Sequence, residues 1–157
     1  MSKINNPNQV VLVTCRHAGK DNIIAMTWHT KTSFQPNLYL ISIGKSRFSH
    51  ELISKGKCFC INFMPYELSE SIKYCGTHSG EDVDKFKETD LTKIECETID
   101  CCRIKEALAY VECRVINSFT TGDHTVFVGE VTKQEFVKEG KRPFQLDRLK
   151  FTTTIIR

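Results

Sequence analysis

The chain has 157 residues, of which 40% are hydrophobic and 26% are charged, a balance typical of one soluble globular domain over residues 1–157. Its net charge of +3 is too small to indicate nucleic-acid binding, and Lys and Arg are interspersed with Asp and Glu. No apolar run reaches the roughly 18 residues of a membrane helix, and the first residues lack the apolar region of a secretory signal. We therefore expect a cytoplasmic protein that binds neither nucleic acid nor a membrane.

Eight cysteines are a high count for a chain of this length. The sequence has no paired Cys-x-x-Cys or Cys-x-x-His knuckles of the kind that hold zinc, and disulfides are uncommon in a reducing cytosol. We expect most of these thiols to be buried as small hydrophobic groups, and we predict no metal site. Their number leaves open a thiol-rich metal-binding or redox-sensing protein as an alternative function.

The first third of the chain has the character of β-strands. A run of β-branched and apolar residues predicts a strand over 10–15, and a turn at 17–22 separates it from a second strand over 23–29. After a polar segment that contains Pro36, a third strand is predicted over 38–43. Short loops between strands, without intervening helices, favour an antiparallel sheet.

A helix is predicted to begin after Gly44. Ser46 has the residue type of an N-cap, Leu52 and Ile53 share one helical face, and Gly56 is placed to end the helix. The rest of the chain is predicted to contain a strand over 57–64, a short helix over 67–74, an irregular segment over 77–93 with a short helix at 83–88, paired strands over 107–119 and 124–136, and a last strand over 151–156.

This series of elements predicts a mainly β fold. Six or more strands with short helices on the rim favour a closed or nearly closed antiparallel barrel, because closure removes the edge strands that promote aggregation. The order of elements alone fits an open α+β sandwich as well.

The segment after Gly44 is a candidate phosphate site. Glycine lets the backbone leave a strand, and the helix that follows presents free amides to an anion. Lys45, Ser46, Arg47 and Ser49 surround this helix start with cations and hydroxyls, which suits a phosphate monoester. The alternative interpretation is a solvated turn followed by an ordinary helix.

A second candidate lies near the end of the predicted strand over 23–29. Trp28, the one tryptophan of the chain, follows Thr27, so that an aromatic ring and a hydroxyl donor are adjacent. This pair suits a flat aromatic ligand with a ring carbonyl. A core aromatic in a strand is the simpler alternative.

His124 opens a strand beside a tight turn at Gly122. A histidine in this position is suited to act as a general acid or as a donor to a substrate amide. It is equally consistent with a turn residue that bonds to Asp123. The histidines show no metal-ligand spacing, and the sequence has neither a Gly-x-Gly-x-x-Gly fingerprint nor a Walker motif.

A series of short motifs follows in a fixed order from Pro7 to about Phe136. Each is weak alone, but the ordered set resembles the flavin reductase-like family of FMN-binding split barrels, in the branch of ferric reductase-like and flavoredoxin-like proteins. One difference is Gln35-Pro36-Asn37, where the family often has two prolines. The motifs are the strand over 10–15, Ala25-Met26-Thr27-Trp28, Ile41-Ser42-Ile43, Ser46-Arg47-Phe48-Ser49, Phe59-Cys60-Ile61-Asn62, Cys75-Gly76 with Ser79, Val83-Asp84-Lys85-Phe86, Glu112-Cys113, Gly122-Asp123-His124 and Val128-Gly129-Glu130-Val131.

The resemblance implies an antiparallel split β-barrel that forms a homodimer, with FMN bound in a groove near the subunit interface. On this basis His124 faces the reactive side of the flavin. The implied cofactor-binding residues are Lys45, Ser46, Arg47 and Ser49 at the phosphate, Ala25, Met26, Thr27, Trp28 and Ser42 along the isoalloxazine, Asn62 and Phe63 from the neighbouring strand, and Ser79 and Lys85 at the flavin or nicotinamide.

The resemblance also implies a reaction. NADH or NADPH would deliver hydride to FMN, and the electrons would pass to free flavin, a ferric chelate or a protein acceptor. The alternative within the same family is an FMN electron carrier that does not turn over with nicotinamides.

Overall fold

The computed structural model describes residues 3–155. Strands account for 48% of the chain and helices for 16%, so the protein is mainly β. Within the described residues no helix is long and apolar enough to cross a lipid bilayer.

The strands are β1 Asn8–Gln9, β2 Val11–His17, β3 Lys20–Met26, β4 His29–Ser33, β5 Leu38–Gly44, β6 Cys58–Phe63, β7 Lys93–Glu95, β8 Cys102–Ile104, β9 Ala109–Thr121, β10 His124–Phe136, β11 Phe144–Asp147 and β12 Lys150–Thr152. The helices are α1 Phe48–Gly56, α2 Ser69–Thr77 and α3 Lys85–Glu88, with a 3-10 turn at Tyr66–Leu68.

The main sheet of the described chain has seven strands in the order β3-β2-β6-β9-β10-β5-β4, and its neighbours are antiparallel. Its two edge strands, β3 and β4, are consecutive in the chain and are joined by Thr27 and Trp28. The amide of Ser42 donates to the carbonyl of Trp28 at 3.0 Å, which ties this connection to β5. The sheet is thus an antiparallel split barrel, as predicted, rather than an open sandwich.

Strand β2 is buried on both faces, which explains why its sequence is apolar without alternation. Val11 and Val13 point into a core cluster that includes Phe127. Leu12 points the other way, into a second cluster that includes Ile72 of α2. Because β2 and β3 are covered by α1 and α2, the edge of the sheet is placed next to both helices.

Helix α1 begins one residue later than predicted. Its N-cap is Arg47 rather than Ser46, and no side chain of the described residues caps the first turn. The helix ends at Gly56, as predicted, with Lys57 in the left-handed conformation. Gly56 also allows a close approach to β2, because a Cβ at this position would lie 2.1 Å from the carbonyl oxygen of Arg16.

The first hairpin is tighter than predicted. Ala18 and Gly19 have positive φ angles of 49° and 75°, the conformation of a two-residue hairpin turn. Strand β3 therefore starts at Lys20 and ends at Met26, three residues before the predicted end at His29. His29 instead begins β4, a separate strand that the prediction did not include. The prediction did not include the short strands β1, β7, β8 and β11. The predicted last strand over 151–156 is shorter in the structure, because β12 ends at Thr152 and residues 153–155 are not in a strand; Ile156 lies outside the described residues.

Candidate functional site

A groove lies where the edge strand β3 meets the start of α1 and the end of α2. It consists of two adjoining cavities with volumes of about 330 Å³ and 360 Å³. The cavities share Ile24, Ala25, Arg47 and Gly76, and this overlap makes them one continuous groove. One end contains cations and hydroxyls, which we call the cationic end. The other is lined mainly by apolar side chains, and we call it the apolar end.

The first turn of α1 forms one wall of the cationic end. Ser46, Arg47 and Ser49 all line this cavity, as the sequence predicted. Since no side chain among the described residues caps the helix, the amides of Phe48 and Ser49 are available to an anion, which the helix dipole favours. Lys45 does not line the groove in the described structure; its amide donates to the carbonyl of Asp123.

Lys85 brings a buried positive charge to the same end. Its side chain is only 5% exposed, and Nζ donates to the carbonyl oxygens of Ile23 and Cys75 at 2.7 Å and 2.8 Å. Burial lowers the pKa of Lys85, because the ammonium loses its hydration. Among residues 3–155, no carboxylate forms an ion pair with Lys85 or with Arg47. The cationic end therefore contains two cations that have no carboxylate counter-ion within the described part of the chain.

A buried polar contact fixes the floor of the cationic end. Nδ2 of Asn22 donates to Oγ of Ser49 at 2.9 Å, and both residues are buried. Gly80 packs directly on Asn22, because a Cβ there would lie 2.1 Å from the amide oxygen. Ser79 lines the same cavity, where its Oγ accepts from the amide of Glu81. The Asn22 contact ties β3 to α1 immediately beneath the groove.

The apolar end is built on the connection between β3 and β4. Ala25, Met26, Thr27 and Trp28 line it in succession, and Ser42 faces it from β5. The sequence had placed all five at a cofactor, and the fold brings them to one cavity. Trp28 is 43% exposed, so it lies on the rim of the groove and is not a core aromatic.

His124 lies on the rim beside Trp28. The centroids of the two rings are 4.7 Å apart with the planes tilted by 45°. Nδ1 of His124 contacts the Asp123 carboxylate at 2.6 Å, and this contact lowers the pKa of Asp123. His124 thus bonds to Asp123, as one interpretation of the sequence predicts, and it also lines the groove; its role as an acid or donor stays a prediction.

The sequence analysis missed the contribution of the C-terminal hairpin to the groove. Gln145, Arg148, Leu149 and Phe151, from β11, β12 and the turn between them, line the apolar end. Arg148 has a positive φ of 47°, which marks the turn. No local motif predicts that these residues line the groove, because the pairing of β1 with β11 brings them there. They add Arg148 to the cations that line the groove.

Two of the predicted cofactor-binding residues, Asn62 and Phe63, lie outside both cavities of the groove in the single chain. Asn62 is fully buried, and its amide donates to the carbonyl of Leu12 and accepts from the amide of Ile104. It therefore holds β2, β6 and the end of β8 together and does not face the groove. Phe63 lines a separate cavity, where the Arg142 guanidinium lies 4.8 Å from its ring centroid.

The cysteines are placed largely as predicted. Seven of the eight are buried, and Cys96 is partly exposed. Within the described residues, no group of three or more histidine, cysteine or acidic side chains has the geometry of a metal site.

The fold defines a class of proteins, the antiparallel split barrels. The crystal structure of the FMN-binding protein from Thermus thermophilus, with bound p-hydroxybenzaldehyde, superposes with a TM-score of 0.89 and 24% identity. The superposition covers 98% of this chain and 89% of that one. At this level of identity the likeness concerns the fold.

Sequence comparison identifies the family. The sequence model of the flavin reductase like domain matches residues 1–153, and the chain belongs to this family. An uncharacterized protein of Archaeoglobus fulgidus is 38% identical over 125 residues, which cover 78% of this chain and 71% of that protein. The NADH-dependent FAD reductase of Streptomyces globisporus is 28% identical over 126 residues, which cover 80% and 68%.

Proposed function

We propose that this chain binds FMN in the groove and transfers electrons from NADH or NADPH, through the flavin, to an acceptor. The observation that carries the proposal is the cationic end, where Lys85 and Arg47 lie beside the uncapped start of α1 without a carboxylate partner among the described residues. A buried cation without a counter-ion is costly unless an anion is bound. A phosphate monoester supplies the missing charge.

The rest of the groove fits the other parts of FMN. A flat apolar ring system requires apolar side chains to pack against, and Met26, Trp28 and Phe151 line the apolar end. Thr27 and Ser42 add hydroxyl groups beside it, which suits the polar edge of an isoalloxazine. The shared residues of the two cavities join the ends, as a single ligand with an anionic tail requires.

The chemistry that FMN supplies when bound is the uptake of a hydride and the release of its electrons. The protein holds the ligand and controls protons around it. Trp28 and His124 border the open side of the groove, where a nicotinamide would approach. The contact between Asp123 and Nδ1 holds the imidazole of His124 in place at the groove, and we propose that His124 acts there as a proton donor.

The donor, the acceptor and the assembly are proposed on family membership. The name of the Streptomyces globisporus relative supports a nicotinamide donor. Free flavin, a ferric chelate or an electron-transfer protein is proposed as the acceptor. We further propose a cytoplasmic homodimer of single domains, with each groove near the subunit interface.

The first experiment is a visible spectrum of the purified protein, followed by anaerobic addition of NADH or NADPH. A yellow protein that bleaches rapidly supports the full proposal. A yellow protein that stays oxidised supports FMN binding but makes the chain an electron carrier. A protein that remains colourless after addition of FMN contradicts both.

The phosphate assignment is tested by Arg47→Ala. We expect this change to weaken FMN binding by about 1.5–3 kcal/mol, the range for charge-assisted hydrogen bonds. Riboflavin, which lacks the phosphate, should bind the variant and the parent equally. Fluorescence titration with both ligands measures the difference.

Arg114→Ala is the matched control for this titration. Arg114 is exposed, pairs with Glu130 and does not line the groove. It should leave both affinities unchanged. If Arg47→Ala weakened riboflavin as much as FMN, Arg47 would be acting on the ring or on the fold, and the phosphate assignment would be wrong.

A further inference from the structure

A cluster of thiols lies apart from the groove, at the hairpin formed by β7 and β8. Cys96 follows β7, Cys101 precedes β8, and Cys58 and Cys60 lie on β6. The thiol of Cys58 donates to the carbonyl of Asp100 at 3.4 Å, and that of Cys101 donates to the carbonyl of Thr14 at 3.5 Å. Cys101 and Cys60 are also the neighbours that most lower the pKa of Cys96. None of these four residues lines either cavity of the groove. We call them the thiol cluster.

Two polar contacts hold the hairpin in place over the thiol cluster. On one side, Arg16 forms ion pairs with Glu95 at 2.7 Å and with Asp100 at 3.2 Å. On the other side, the fully buried Glu112 carboxylate accepts from the amides of Glu97 and Thr98. The connection between Cys96 and Cys101 is therefore attached to the sheet at both ends, and the two sulfurs are held in a fixed relation.

Cys96 and Cys101 are opposite each other in the hairpin. The β7–β8 register pairs Glu95 with Cys102, and the next pair along it is Cys96 with Cys101. The amide of Cys96 donates to the carbonyl of Cys101 at 2.9 Å. Opposed residues of an antiparallel pair have Cα atoms roughly 4.5–5.5 Å apart, which is within the usual range for a disulfide. Both residues are free thiols in this structure.

The two thiols differ in access and acidity. Cys96 is partly exposed and Cys101 is buried. The thiols of Cys101 and Cys60, together with the charge of Arg103, lower the pKa of Cys96 to about 5 against the opposing effects of burial and Glu112. The pKa of Cys101 is raised well above its usual value by hydrogen bonds to Cys102, Cys58 and Cys96. One accessible thiolate therefore lies beside one buried thiol, the arrangement of an attacking and a resolving cysteine.

From this geometry we propose that Cys96 and Cys101 are a reversible redox site that reacts with hydroperoxides and closes to a disulfide. The Cys96 thiolate attacks one peroxide oxygen; the S–O bond forms, the O–O bond breaks, and the leaving oxygen takes a proton. The sulfur of Cys101 then attacks the sulfenic acid; the S–S bond forms, and hydroxide leaves with the Cys101 proton as water. Two thiols are oxidised and one peroxide is reduced by two electrons, and an external dithiol reverses the change.

This inference does not depend on the proposed flavin chemistry. The thiol cluster uses no residue of the groove, so the site is present whether or not FMN binds. Flavin titration of Cys96→Ser should match that of the parent, which separates a failure of one proposal from a failure of the other.

Peptide mapping of the unmodified sequence tests the proposal without any variant. Cleavage after Lys93 and Arg103 places Cys96, Cys101 and Cys102 in one tryptic peptide, whereas Cys58 and Cys60 fall in another. The reduced protein is treated with stoichiometric hydrogen peroxide and then denatured in the presence of iodoacetamide, which alkylates the remaining free thiols. It is then digested with trypsin. We expect peptide 94–103 to carry a single alkyl group, on Cys102, and an internal disulfide that dithiothreitol removes.

Other results of the mapping overturn the proposal. Three alkyl groups on peptide 94–103 would mean that no disulfide forms. A cross-link between peptide 94–103 and the peptide that contains Cys60 would make Cys60 the resolving residue. Stoichiometric zinc in the purified protein, released only when the thiol cluster is alkylated, would identify a metal site instead.

Alkylation of the native protein tests the roles of the two thiols. At about pH 6, iodoacetamide should modify Cys96 before any other cysteine, because a thiolate reacts and a buried thiol does not. Cys101→Ala removes the neighbour that most lowers the pKa of Cys96, and the alkylation rate at this pH should fall roughly tenfold for each unit by which that pKa rises. Cys75→Ala, which alters a buried thiol outside the cluster, should leave the rate unchanged. Equal rates for Cys101→Ala and the parent would remove Cys101 from the site.

Discussion

Lys85 shows how the meaning of a residue depends on its surroundings. In the sequence it stands in a polar segment, where a lysine is most often a solvated charge. In the fold its ammonium is buried against two backbone carbonyls and faces the groove beside Arg47. Lys85 is suited to bind an anion because its ammonium is desolvated, and a bound phosphate stabilises a desolvated cation more strongly than a solvated one.

Asn62 shows the opposite outcome. The strand motif around it resembles a family motif, and the resemblance implied a cofactor contact. In the structure, Nδ2 of Asn62 donates to the carbonyl of Leu12, and Oδ1 accepts from the amide of Ile104. A buried side-chain amide with partners on three strands stabilises the sheet, because an unpaired group in that position would be costly.

At the residue scale we predict a specific effect of His124→Ala. The rate of flavin reduction by NADH or NADPH should fall on the order of 10²-fold, the usual contribution of a positioned acid or base, while FMN stays bound. Stopped-flow absorbance under anaerobic conditions measures this rate.

His50→Ala is the comparison variant for His124. His50 bonds to Thr125 and does not line the groove, so its removal should leave the rate close to that of the parent. Reduction of the His124 variant at the parental rate would exclude this residue from the mechanism.

Among the elements, α1 was predicted most completely. Its apolar face, the glycine that ends it and the cations at its first turn are all local features of the sequence. The structure differs from the prediction only in the N-cap residue. The contact between Gly56 and the carbonyl of Arg16 was not predicted. It depends on how closely α1 packs on β2, which no local pattern reports.

Gly56→Ala tests whether that close approach matters. The added Cβ would lie 2.1 Å from the carbonyl oxygen of Arg16, so the helix must shift, and we expect a loss of about 1–3 kcal/mol in the free energy of unfolding. Urea denaturation followed by circular dichroism measures the loss.

Lys55→Ala, one residue earlier, is the matched control for this variant. Lys55 is exposed and pairs only with Glu51 of the same helix among the described residues, so the change should alter stability by less than about 0.5 kcal/mol. Equal stabilities of the two variants would show that α1 accommodates the methyl group.

The whole molecule combines segments that are far apart in the sequence. The groove takes its walls from β3, α1, α2, the irregular segment after α2, and the C-terminal hairpin. The hairpin reaches the groove because Asn8 pairs with Gln145 and Gln9 with Phe144. The groove forms only when strands distant in the sequence pair with each other, and local motifs do not predict that pairing.

At this scale we predict a homodimer. Several large apolar side chains are exposed in the single chain, including Phe34 at 89% and Phe136 at 59%, and an interface that covers them would be favourable. Light scattering should give twice the 18.0 kDa mass of one chain, with and without FMN. A mass of one chain in the flavin-bound protein would contradict the prediction.

The sequence by itself determined what depends on near neighbours: the longer strands and the helices, the helix start near Ser46 and Arg47, and the position of Trp28 beside Thr27. It also carried the family, through motifs in a fixed order. Only the tertiary structure decided which of these residues share a groove, that Asn62 supports the sheet, and that Cys96 lies opposite Cys101. The physical reason is that burial, close approach and charge compensation arise between strands and helices distant in the sequence, and they exist only once the sheet has folded.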